Sequence, residues 1–179
     1  MVDRQQAILV VVDVQGKLAQ MMVQRQRLFR NLQILIRGVQ LLRVPIILVE
    51  QTPAKLGSTV TEIRTLLAGL EPIEKSTFSC AGSPEFMARL REYQREDVIL
   101  AGIETHVCVY QTASDLTANG FRVHVVVDAV SSRTNLNRRT GLRRILAEGG
   151  HATSTEMLLF ELQRSAEGDV FRELIKLVK

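Results

Sequence analysis

The sequence predicts a three-layer α/β/α fold built on an open sheet of six parallel strands, and two observations carry that expectation. Apolar runs of four to seven residues alternate with longer amphipathic stretches along the chain, the pattern of buried parallel strands and crossover helices. The 179 residues accommodate six such strand–helix steps and fall short of a closed eight-stranded barrel. A Rossmann-like sheet in the common order 3-2-1-4-5-6 follows, read as one domain over residues 1–179.

The run "AILVVVD" is the first strand. In "LFRNLQILIRGVQLL", Leu28, Leu32, Leu35, Val39 and Leu42 fall on one helical face, and Val44-Pro45 stops the helix before the strand "IILVE". A looser segment holds a helix around residues 59–68, a short strand at "PIEK" and a helix starting near Ser83-Pro84. The fourth strand is "DVILAG". It leads into a helix that carries Cys108 in its first turn and stops at Asn119-Gly120. The strand "FRVHVVVDA", a helix over 135–148, a short strand near "ATST" and helical segments complete the chain.

Composition narrows the function classes. Two cysteines cannot form a disulfide framework, and no stretch approaches the ~20 apolar residues of a membrane span, so a soluble, cytoplasmic, reduced protein is expected. The charge of +4 concentrates in "SSRTNLNRRTGLRR", where Arg133, Arg138, Arg139, Arg143 and Arg144 have no acid among them. No aromatic residues interleave with these arginines and no helix-turn-helix or zinc-finger spacing is present, so nucleic acid is not the expected partner. A small-molecule substrate is, and the arginines leave room for an anionic one.

In sheets of this order, ligands bind beyond the carboxyl ends of the strands, in the crevice between strands one and four. Asp13 ends the first and Cys108 follows the fourth. A helix N-terminus favours a thiolate, so Cys108 reads as an activated nucleophile, whereas Cys80 reads as an inert buried thiol. Asp13, costly to bury alone after an apolar strand, would accept the thiol proton and return it to a leaving amine. Two adjacent anions repel, however, and a cation is needed; Lys75 in "EPIEKSTFS" is the candidate. His106 lies two residues before Cys108 and points to another face of a helix, His124 reads as a sheet residue and His151 as a loop residue. No metal-ligand spacing and no glycine-rich dinucleotide fingerprint is present.

These motifs resemble the isochorismatase-like cysteine hydrolases. The resemblance covers almost the whole chain and rests on "LVVVDVQGKL", "EKSTFS", "AGIETHVCV" and "VHVVVDAVSSRT" in family order. It implies a catalytic triad of Asp13, Lys75 and Cys108. It also implies a cis peptide at Ile103-Glu104, with the amides of Glu104 and Cys108 as the oxyanion hole. Zinc-dependent relatives in this superfamily carry histidines where this chain has "EQTPAKLG", so the expected enzyme is metal-independent and without a cofactor. Gln51, Phe29 and Phe78 are candidate substrate contacts. The implied reaction is cleavage of a C–N bond in a small amide or ureido substrate through a thioester. The alternatives are isochorismate-type vinyl ether hydrolysis and a non-catalytic binding or scaffold protein keeping the fold. A homo-oligomer is also expected, because "MLLFEL" and "FRELIKLV" are more apolar than a monomer readily hides.

Overall fold

The computed structural model describes residues 1–179. Its first strand, β1 (Ala7–Val12), is buried along its whole length, as an all-apolar run covered on both faces must be. A short helix α1 (Gly16–Gln20) precedes α2 (Arg25–Leu41), which buries Leu28, Leu32, Leu35 and Val39 on the face its 3.6-residue period predicts. Next come β2 (Ile46–Gln51), α3 (Pro53–Leu56), α4 (Thr61–Arg64) continued by a 3₁₀ turn at Thr65–Leu67, and β3 (Ile73–Lys75). Ser83 caps α5 (Pro84–Glu92), its hydroxyl accepting from the Phe86 amide, with proline at the first helical position where no N–H is needed. The second half contains β4 (Asp97–Ile103), α6 (Tyr110–Ala118), β5 (Arg122–Ser131), α7 (Asn135–Ala147), β6 (His151–Thr153), α8 (Thr155–Gln163) and α9 (Gly168–Val178).

The six strands form one parallel sheet in the order β3-β2-β1-β4-β5-β6. Alternate residues of β1 face opposite ways. Leu9 and Val11 pack with α2, α8 and Leu174 of α9, while Ile8, Val10 and Val12 pack with Phe86 and Leu90 of α5 and Leu116 of α6. Each fully buried Leu, Ile or Phe in these two clusters contributes roughly 1.5–3 kcal/mol by leaving water. One close approach sets the crevice: Gly102 of β4 has φ 120°, and a Cβ there would stand 2.1 Å from the Val12 carbonyl oxygen. Only glycine lets the ends of β1 and β4 meet this closely.

Three sequence expectations are amended. Helices α1 and α3, of five and four residues, are too short to announce themselves by periodicity. Cys108 stands in a π-helical turn, Thr105–Val109, that joins β4 to α6, not in an α-helical first turn. Third, the apolar residues of the last helices are divided: Leu158, Leu159, Leu162 and Leu174 are buried, Phe160, Phe171, Ile175, Leu177 and Val178 are half-buried, and Met157 is exposed. Part of the apolar surface expected to meet a partner subunit is therefore used inside the fold. No helix is long and apolar enough to cross a membrane.

Candidate active site

Asp13 follows β1 directly, in the left-handed region at φ 53°, a conformation that aspartate tolerates better than most residues. Its amide donates to the Val49 carbonyl oxygen of β2 (3.1 Å), which fixes the backbone beside the crevice. Lys75, the last residue of β3, reaches back across β2, and its ammonium donates to Asp13 Oδ2 (2.8 Å), Gln51 Oε1 (2.6 Å) and the Thr77 carbonyl (3.1 Å). All three of its protons are used, as a buried ammonium requires. The other carboxylate oxygen, Asp13 Oδ1, is buried and accepts no hydrogen bond, and the Cys108 thiol stands within interaction distance of this carboxylate. The only other buried side-chain polar atom without a partner is Thr105 Oγ1, in the turn that carries Cys108. Unsatisfied buried atoms are rare, and here both fall at one edge of the sheet.

Burial governs the titration of this group. It raises the Asp13 pKa above the ordinary carboxylate range, with Lys75 pulling in the opposite direction. Burial also raises the Cys108 thiol, the negative charge of Asp13 raises it further, and Lys75 offsets part of this. The expectation of a preformed thiolate is thereby corrected. Desolvation is the largest influence and Lys75 offsets only part of it, so the shift runs toward the protonated thiol.

The Ile103-Glu104 peptide is cis, and the Glu104 amide N–H has no hydrogen-bond partner. The Glu104 carboxylate is occupied elsewhere: it accepts from the Arg133 backbone amide (2.9 Å) and from Arg133 Nε (3.2 Å to each oxygen). Helix α7 seats against the cysteine turn through Gly141, where a Cβ would lie 2.7 Å from the Thr105 carbonyl oxygen. His106 Nδ1 pairs with Ser132 Oγ (3.0 Å), and the ring of His124 meets Asp97 (3.1 Å). Neither imidazole bonds to Asp13, Lys75 or Cys108.

Of the candidate substrate contacts, Gln51 has both ends of its amide engaged, Oε1 with Lys75 and Nε2 with the Ser76 carbonyl (3.0 Å). Phe29 packs in the core cluster on the sheet face opposite that of Cys108, and Phe78, 56 % exposed, lies in the loop after β3. One residue was missed. Gln15, fully buried, donates from Nε2 to the Gln51 (3.2 Å) and Gly57 (2.6 Å) carbonyls and accepts from the Gln51 amide at Oε1 (2.6 Å), tying the loops after β1 and β2 together. The signal for it was its place two residues after Asp13 in "DVQ". Glu50 works beside it, accepting from the amide and hydroxyl of Thr59.

The model of the isochorismatase domain matches residues 7–157. A secreted isochorismatase effector, Isc1, from Phytophthora sojae (strain P6497) is 38% identical over 178 residues, 97% of this chain and 84% of that protein. The structure of MAR1 ribonuclease from Caenorhabditis elegans superposes with a TM-score of 0.91 at 35% identity, covering 99% of this chain and 91% of the other. YcaC from Escherichia coli, described as an octameric hydrolase of unknown specificity, shares the fold with a TM-score of 0.93 at 21% identity, covering 98% of this chain and 89% of its own. On the matched domain and the extent of these likenesses, the chain belongs to the isochorismatase family, a family of hydrolases.

Proposed function

We propose that the protein is a metal-independent cysteine hydrolase that cleaves the C–N bond of a small amide or ureido substrate. The observation that carries the reading is the setting of Asp13: Oδ2 is held by Lys75, Oδ1 has no hydrogen-bond partner, and the carboxylate interacts with the Cys108 thiol. As the sulfur attacks the carbonyl carbon, its proton passes to Asp13, and negative charge moves from carboxylate to the adduct while Lys75 neutralises it throughout. The amides of Glu104 and Cys108 would receive the oxyanion. A free Glu104 N–H supports this, as does the salt bridge to Arg133, which offsets the one carboxylate that would oppose the charge. Asp13 then gives its proton to the departing nitrogen, the amine leaves, and a thioester remains. Water attacks the thioester, Asp13 takes a proton from it, and the acid departs with the sulfur reprotonated.

The Asp13 carboxylate is bonded by an ammonium, the neighbouring Glu50 and Glu104 carboxylates are engaged by Thr59 and Arg133, and no three His, Cys, Asp or Glu side chains group as metal ligands, which favours acid–base over metal chemistry. Assembly into a homo-oligomer is part of the proposal; Met21, Phe78, Leu136 and Met157 are exposed apolar residues on segments following β1, β3, β5 and β6, the strand ends nearest the crevice. The test is a turnover panel of small amides, ureides, isochorismate and an RNA oligonucleotide, with intact-mass detection of a thioester adduct on Cys108. Acyl adducts with an amide or ureide are expected. Turnover of isochorismate or RNA that survives Cys108→Ala, with no adduct from any amide, would replace the proposal.

A further inference from the structure

The opposite edge of the sheet carries an arrangement that the hydrolytic site does not use. Arg43, Arg4 and Arg95 lie in the segments entering β2, β1 and β4, three adjacent strands, and each stands two or three residues before its strand begins. Together with Gln5, Leu41 and Val170, they line one hollow of about 350 Å³. No carboxylate lines it, and none of the three arginines takes part in a salt bridge. Of the acids nearby in sequence, Glu96 and Asp97 pair with Arg122, while Asp3 accepts from the Gln5 amide and lines a neighbouring hollow with Arg4.

Arg95 is pinned in place. Its Nη1 donates to the Arg4 (2.8 Å) and Ala7 (3.1 Å) carbonyls, holding its own guanidinium and the Arg4 loop in fixed relation. Arg43 follows the last turn of α2 at φ 56°, the left-handed position that glycine fills with less strain. The carbonyl end of α2 offsets part of one cation and leaves the rest uncompensated.

We propose that this hollow is a second ligand site, for the phosphate group of a small organic phosphomonoester. Guanidinium forks match the oxygens of a dianion, and the Leu41 and Val170 side chains offer contact to the organic part. The volume suits a small molecule. This site lies at the N-terminal ends of the strands, away from Cys108 beyond their C-terminal ends, so it stands whether or not the hydrolase reading does.

The experiment titrates the full chain with inorganic phosphate, phenyl phosphate and a single-stranded RNA oligonucleotide at constant ionic strength, following backbone amide shifts. Saturable shifts at Gln5 and Arg43 are expected, with phenyl phosphate binding more tightly than phosphate alone. Arg4→Ala and Arg43→Ala, both at exposed positions, should each weaken binding about tenfold, the usual loss for a charge-assisted hydrogen bond. Arg139→Ala removes the same charge from exposed α7 and should change nothing. Equal weakening by Arg139→Ala would reduce the effect to net charge and overturn the proposal. So would shifts that fail to saturate, or RNA that outcompetes phenyl phosphate at the same amides.

Discussion

Cys80 and Cys108 lie in the same apolar cluster, and burial raises the pKa of both, Cys80 to about 12. The charges of Asp13 and Lys75 act on each in the same opposing directions. Acidity therefore does not separate the two thiols. Position does: Cys108 keeps 8 % exposure on its π turn and interacts with the Asp13 carboxylate, whereas Cys80 is fully buried in a 3₁₀ turn and its amide donates to Thr112 Oγ1 (2.9 Å). In the proposed mechanism the nucleophile is the thiol with a proton acceptor at hand and some exposure, its anion forming during attack and not before it.

The largest expected effect breaks this comparison outright if it fails. Cys108→Ala should lower kcat by on the order of 10⁶-fold, as loss of a covalent nucleophile does, while Cys80→Ala stays within a few-fold of wild type in steady-state assays. Comparable losses in both variants would show that placement is not what distinguishes them. Next in size is Lys75→Met, which leaves Asp13 buried beside the thiol without its cation. Unfolding in urea should show a loss of about 3–5 kcal/mol, the usual result of removing one partner of a buried pair, and adding Asp13→Asn should recover part of it. A single variant as stable as wild type would mean the pair is not buried as described.

A smaller effect sharpens the difference in chemistry. With both thiol pKa values raised, iodoacetamide should modify Cys108 at a rate climbing about tenfold per pH unit through pH 9, without a plateau, and always ahead of Cys80. Peptide mass spectrometry reads both sites at once; a plateau below pH 7 would reveal a standing thiolate. The smallest effect is on stability. An acid whose pKa is raised by folding loses its proton first in the unfolded chain, so stability is unaffected below the ordinary thiol value of 9.0 and falls as pH rises from there toward about 12. Cys80→Ala should flatten that alkaline fall in calorimetry, and an unchanged slope would indicate that Cys80 is less buried than the structure has it.

Much of this was readable in the chain itself. The six strands and their order followed from apolar runs and the crossover rule, and Asp13, Lys75 and Cys108 were singled out before the sheet brought their segments together. Gln51 is legible as a polar residue at the crevice, but that its amide bridges Lys75 and the Ser76 carbonyl is not, since both partners lie at the end of another strand. Gln15 and the pairing of Glu104 with Arg133 were not foreseen, since each links segments that sequence separation hides. The arginines that attracted attention were those of residues 133–144, whereas the three that share a hollow are scattered over 91 positions and carry no local pattern.

The sequence by itself determined the alternation of buried strands and amphipathic helices, because periodicity and caps act over a few residues and need no distant partner. It also determined which residue types could do acid–base and nucleophilic work at the strand ends. Only the tertiary structure decided the protonation of the site and the partner of each oxygen. Desolvation depends on everything that closes over a group, and at the crevice it is the largest influence on the Cys108 thiol, with Lys75 offsetting only part of it.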